Sequence, residues 1–226
     1  MEAADLARYL EPTPFVDWES PEVLSFAREN AGGSAEPADR AVKLYYAVRD
    51  GMRYDPYTLD LTVEGMRAST TLKNRRGWCV TKACLLAACL RAVGVPARLG
   101  YADVRNHLST ARMRAVMQTD VFFYHGYTSV CLDGEWLKVT PAFNVELCTK
   151  FRIRPLEFDG KSDSVYHPFD LDGNRHMEYL RYRGEYADVP LADMIATFHR
   201  EYPVPENLTA QEGDFEKDVD EETSRH

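Results

Sequence analysis

Residues 78–98 read WCVTKACLLAACLRAVGVPAR and follow the basic, loop-like KNRRG of residues 73–77. From 80 to 93 only Thr81, Lys82 and Arg91 interrupt an apolar run, the pattern of a helix buried along its length and wetted at its ends. Gly94 and Pro96 supply the stop. Cys79 therefore falls in the first turn, where unpaired backbone N–H groups and the positive helix end favour an anion, lower a thiol pKa and create a nucleophile. Cys84 and Cys89 follow at equal spacing. Each step turns about 140° on a helix, so the three thiols diverge, cannot share one metal, and the later two read as packing residues. Trp78, beside Cys79, is a cleft-lining candidate that either shields a reacting group from water or packs.

The next decisive signal lies at 121–140, VFFYHGYTSVCL-DG-EWLKVT. A two-residue Asp-Gly loop between β-rich runs predicts a type I′ hairpin. Pairing Leu132 with Glu135 sets Val130 against Leu137 and Thr128 against Val139. Continued, it sets Tyr127 against Thr140 and His125 against Ala142. Alternation then places His125 and Thr140 on one face as diagonal neighbours. Asn144, further along, would sit opposite Phe123.

With 226 residues and 45% apolar content the chain can bury one sizeable core. The expected organisation is an N-terminal arm over 1–34 packed on a domain over 35–202, with a tail over 203–226. That tail carries eight acids against Lys217 and Arg225 and reads as solvated and disordered. The net charge of −9 argues against nucleic acid as the main partner, and none is expected. Neither a membrane span nor a secretory signal is expected. Five cysteines at irregular spacing do not make a secreted disulfide framework, so a reducing cytoplasm is expected. His167 and His176 lie among Asp163, Asp170 and Asp172 at spacings that match no ligand motif, so neither metal nor other cofactor is expected. The region after Pro141 predicts turns with short strands at most, and a last helix is expected over 191–201.

A Cys at a helix start, a His on a strand and a polar residue on the next strand follow the order of a Cys–His–third-residue site. The elements G-W-C-V-T-K-A at 77–83, L-R-A-V-G-V-P-A-R at 90–98 and the hairpin together resemble the transglutaminase-like superfamily, most nearly a bacterial branch of largely uncharacterised members. The resemblance implies an α+β papain-like fold, a central helix with an N-terminal Cys packed on an antiparallel sheet. It implies Cys79 as nucleophile and His125 as base. The family's third residue is usually Asp; that register here reads Val139-Thr140-Pro141, so Thr140 takes the place, with Asn144 the alternative. The implied chemistry is a Cys79 thioester formed from a peptide, protein or small amide and released to water or an amine. A catalytically inactive peptide- or protein-binding module is the other reading. The oxyanion is expected to bind the Cys79 backbone N–H and one further donor.

Overall fold

The structure, a computed structural model, describes residues 6–107, 109–166, 169–204 and 207–223. Helices α1 (Pro21–Ala31) and α2 (Pro37–Gly51) each begin on a proline, whose missing N–H costs nothing in a first turn. Each also carries an acid there, Glu22 and Asp39, that suits the positive helix end. Strands β1 (Arg53–Tyr54) and β2 (Arg76–Gly77) pair in parallel, with α3 (Val63–Met66) and α4 (Ala68–Asn74) between them in the chain. The central helix is α5 (Cys79–Ala92). There follow β3 (Ala97–Asn106), α6 (Ala111–Met117), β4 (Val121–Leu132), β5 (Glu135–Val139), α7 (Val145–Lys150), β6 (Met177–Tyr186), α8 (Leu191–Glu201) and α9 (Phe215–Thr223).

Strands β3 to β6 form one sheet in the order β5-β4-β3-β6, antiparallel at every junction. Helix α5 lies between this sheet and the helices α1, α2 and α4, which gives an α+β architecture with the Cys-bearing helix at its centre. Every residue from Cys79 to Arg91 is buried, including the two cations expected to wet its ends. They are satisfied instead by carbonyl oxygens. Lys82 Nζ donates to Arg49, Met52 and Ala142 at 2.9, 2.5 and 2.6 Å. Arg91 donates to Ala97, Glu11 and Ala187 at 2.9, 2.7 and 2.6 Å. Carbonyls of loops and of element ends thus find hydrogen bonds inside the core.

The hairpin forms in the predicted register, with Thr128 opposite Val139, Val130 opposite Leu137 and Leu132 opposite Glu135. Asp133 and Gly134 both have positive φ, 51° and 86°, as a type I′ turn requires. Pairing stops at Val139, earlier than the sequence predicts. Val139 instead bridges Ser164, and the Thr140 N–H donates to the Ser164 carbonyl at 2.9 Å, so the chain leaves β4 before Thr140 can face Tyr127.

Two further segments depart from expectation. Residues 177–186 make a full edge strand along β3 rather than short pieces. The acidic segment read as a disordered tail contains α9, whose Phe215 and Val219 are buried one turn apart. Phe215 packs edge-on against Tyr54 and Tyr57, and the acids meet cations of the body: Lys150 with Glu216 and Asp220, Arg112 with Asp218, Arg114 with Glu222. Among the described residues no helix is long and apolar enough to cross a membrane.

Candidate active site

The first turn of α5 is built by small residues around Cys79. The Trp78 N–H donates to Thr81 Oγ1 at 3.1 Å, capping the helix start. A Cβ on Gly77 would sit 2.4 Å from that oxygen, so this position excludes a side chain. Strand β4 then crosses the turn at Gly126, where a Cβ would lie 2.7 Å from Val80 Cα. The close approach sets the Gly126 backbone against the first turn, where its N–H, with those of Val80 and Cys79 itself, favours a Cys79 thiolate.

His125 immediately precedes that glycine. A β-bulge shapes the strand just before it: Ala102 pairs with His125 but Val104 pairs with Phe122, so two residues of β4 face one of β3. Tyr124 takes up the bend in a left-handed conformation, φ 59°. Its N–H donates to Asp103 at 3.3 Å, Arg183 donates to the same carboxylate oxygen at 2.5 Å, and the Arg183 guanidinium lies 4.7 Å from the Tyr124 ring centre. On the other side, the Phe123 N–H donates to the Tyr202 hydroxyl at 2.9 Å. The imidazole itself is buried among rings, with Tyr166 and Tyr179 at centroid distances of 5.7 and 6.3 Å. Its Nε2 makes no hydrogen bond to the protein.

The two third-residue candidates are placed differently from each other. Thr140 is buried, its carbonyl accepting from the Tyr45 hydroxyl at 3.3 Å. Its Oγ1 lies near the Tyr179 hydroxyl without a well-formed hydrogen bond and does not bond His125. Asn144 is engaged at both ends, accepting from the Tyr54 N–H at 3.1 Å and donating to Glu146 at 2.8 Å. It ties β1 to α7 and does not orient the imidazole. Trp78, Cys79 and His125 line one cleft of about 620 Å³ including its open mouth, facing Tyr54, Phe122 and Tyr202.

Burial governs the electrostatics. It pushes the Cys79 thiol up to about 11 despite the N–H groups that favour the thiolate. The lowering expected from the helix end is therefore outweighed. Burial, helped by the nearby His176, pushes His125 down to about 4. At neutral pH the cleft holds a neutral thiol and a neutral imidazole. The phenols of Tyr54 and Tyr202, which line the cleft with Cys79, are raised by burial first and by Cys79 in addition.

Sequence spacing does not reveal Tyr54, Tyr166, Tyr179, Tyr202 or His176 as neighbours of the pair; no motif carries them, and they converge only through the fold. Among the described residues no group of three or more His, Cys, Asp and Glu could hold a metal ion. Asp163 accepts from the Lys138 N–H, Asp172 pairs with Arg152 and Asp170 accepts from Asn174, while His167 lies outside the described residues.

The profile of the Transglutaminase-like superfamily matches residues 24–141, a span that contains Cys79, His125 and Thr140. The chain belongs to the transglutaminase-like superfamily. Solved structures similar to this superfamily member include a candidate cysteine protease from Cytophaga hutchinsonii, 18% identical with a TM-score of 0.48, covering 63% of this chain and 43% of that one. Another is a candidate protease from Parabacteroides distasonis, 16% identical with a TM-score of 0.38, covering 62% of this chain and 29% of that one. The chain thus matches less than half the length of either. No curated protein matches it.

Proposed function

We propose that this transglutaminase-like protein is a thiol-dependent acyl-transfer enzyme, with Cys79 as nucleophile and His125 as base, acting on a peptide, protein or small amide or ester. The observation that carries the reading is the close approach of Gly126 to the first turn of α5. It sets the strand that carries His125 directly on the turn that carries Cys79, where the backbone N–H groups of Gly126, Val80 and Cys79 favour a thiolate.

The resting pair is neutral. Values of about 11 and about 4 make prior proton transfer from Cys79 to His125 cost about 10 kcal/mol before the two charges attract. Attraction at 4 Å returns about 4 kcal/mol at an effective dielectric of 20. The thiol proton therefore passes to His125 as the C–S bond forms. The N–H groups of Cys79 and Gly126 then stabilise the developing oxyanion, and the imidazolium protonates the leaving amine or alkoxide. Water or an amine reverses the sequence on the thioester. Tyr166 and Tyr179 supply only the orienting part of the family aspartate's role, and the imidazolium formed during the step is balanced by the oxyanion formed with it.

The test is acylation by a phenyl ester, read by mass on the Cys79 peptide. The expected result is an adduct on Cys79, absent in Cys79→Ala and slowed at least about 100-fold in His125→Ala. An adduct that forms equally fast without His125 overturns the base assignment. The second reading, an inactive peptide-binding module, is favoured by the neutral pair and the missing carboxylate. It predicts no adduct at all under conditions where a peptide binds the cleft.

A further inference from the structure

Resting on the acyl-transfer reading, we infer that the acyl group taken onto Cys79 is uncharged and apolar, and that the C-terminal segment builds part of its pocket through Leu208. Beyond the reacting pair, the cleft is walled by Met113 and Met117 of α6, Phe122 of β4, Phe198 of α8, Leu59 and Leu208. None of its lining residues is Asp, Glu, Lys or Arg. Of its phenols, Tyr202 already accepts the Phe123 N–H.

The cations beside the lining residues in the chain, Arg53 next to Tyr54 and Arg112 and Arg114 flanking Met113, are exposed and paired, and the half-buried Lys150 is paired as well. Arg53 meets Asp214 and Glu216, Arg112 meets Asp218, Arg114 meets Glu222 and Lys150 meets Glu216 and Asp220. All these acids belong to the segment that follows Leu208. The same segment therefore supplies an apolar wall and pairs the nearby cations that could otherwise receive an anionic acyl group. Each methylene moved from water into such a pocket is worth about fourfold. A carboxylate carried in without a partner loses about 100-fold or more.

The experiment compares phenyl acetate, phenyl hexanoate, phenyl 3-phenylpropionate and phenyl hydrogen glutarate on the full chain. The measured quantity is the second-order rate of Cys79 adduct formation. In each reaction the thiol proton passes through His125 to the departing phenolate as the C–S bond replaces the C–O bond. Hexanoate and phenylpropionate are expected to exceed acetate at least tenfold, with glutarate slowest. Glutarate matching hexanoate, or four equal rates with an adduct on Cys79, overturns the substrate class while leaving the acyl-transfer reading intact. No adduct from any ester overturns that reading and this inference with it. Leu208→Ala is expected to lower the hexanoate-to-acetate rate ratio several-fold, and Met117→Lys, on α6, to raise glutarate relative to hexanoate. Equal hexanoate-to-acetate ratios in Leu208→Ala and the parent remove Leu208 from the pocket.

Discussion

Gly126 and Val80 meet backbone to backbone: a Cβ at Gly126 would lie 2.7 Å from the Val80 Cα. This contact joins the strand that bears His125 to the helix that bears Cys79, and neither side is a flexible side chain that could yield. Gly126→Ala must therefore push β4 off the helix start. The expected cost is about 1–3 kcal/mol, the range for overpacking a dense core. It appears as a lower urea midpoint at unchanged slope, together with loss of Cys79 acylation. A variant as stable as the parent would remove the contact from the architecture of the site.

The thiol should be slow rather than activated. Burial raises Cys79 to about 11, so at pH 7 the thiolate is about one part in ten thousand. Alkylation by iodoacetamide, followed on the Cys79 peptide, is expected to rise about tenfold per pH unit through neutrality and to level off near pH 11. A plateau already reached at pH 7, abolished in His125→Ala, would instead reveal a preformed thiolate–imidazolium pair.

Lys82 makes stability depend on pH in a defined direction. Burial lowers its pKa from 10.5 to about 7. The unfolded chain then binds more protons than the folded one between those values, so this group's contribution to stability grows as pH rises from about 7 toward 10.5. Between pH 7 and 8.5 the parent should gain about 1–2 kcal/mol relative to Lys82→Met, measured by denaturant unfolding at each pH. Parallel pH profiles would mean that the ammonium keeps its ordinary affinity for protons within its cage of three carbonyls.

The hairpin and the central helix were legible because local chemistry decides them. Asp133-Gly134 admits two positive-φ residues, which fixes the register, and the apolar run ending at Gly94 fixes the helix. The family profile supports the same reading of the fold. The rest depended on partners far away in the chain. Thr140 is drawn from its predicted pairing by Ser164, and the bulge at Tyr124 is held by Asp103 and Arg183, none of which a hydropathy pattern marks. In 214–223 the density of acids hid the Phe215/Val219 spacing, and their neutralising cations come from separate elements of the body.

That segment should detach through its one large apolar anchor. Its ion pairs are exposed or half-buried and individually weak, whereas Phe215 is buried against Tyr54 and Tyr57. Phe215→Ala is expected to cost about 3 kcal/mol locally. Hydrogen exchange should then accelerate over 207–223 while α5 stays protected, and 1 M salt should add a smaller acceleration in the parent. Unchanged protection of 215–223 in the variant would show that the ion pairs alone hold the helix.

Thr140→Asp tests whether the third position can still act on the histidine. His125 Nε2 and Thr140 Oγ1 are both buried, and neither hydrogen-bonds to a protein group. A carboxylate at this position reaches one atom further than the threonine hydroxyl. If it meets Nε2, it favours the imidazolium, raising His125 from about 4 and, through the new positive charge, lowering Cys79 from about 11. The expected shift in the alkylation profile of Cys79 is at least about one pH unit downward, because a charge a few ångströms away in a desolvated site is weakly screened. Burying the new anion should cost about 1–3 kcal/mol of stability, most of it at pH values where the introduced carboxyl is ionised. An unshifted profile with the same loss of stability would mean that the introduced carboxylate faces Tyr179 and the imidazole is oriented by its aromatic neighbours alone.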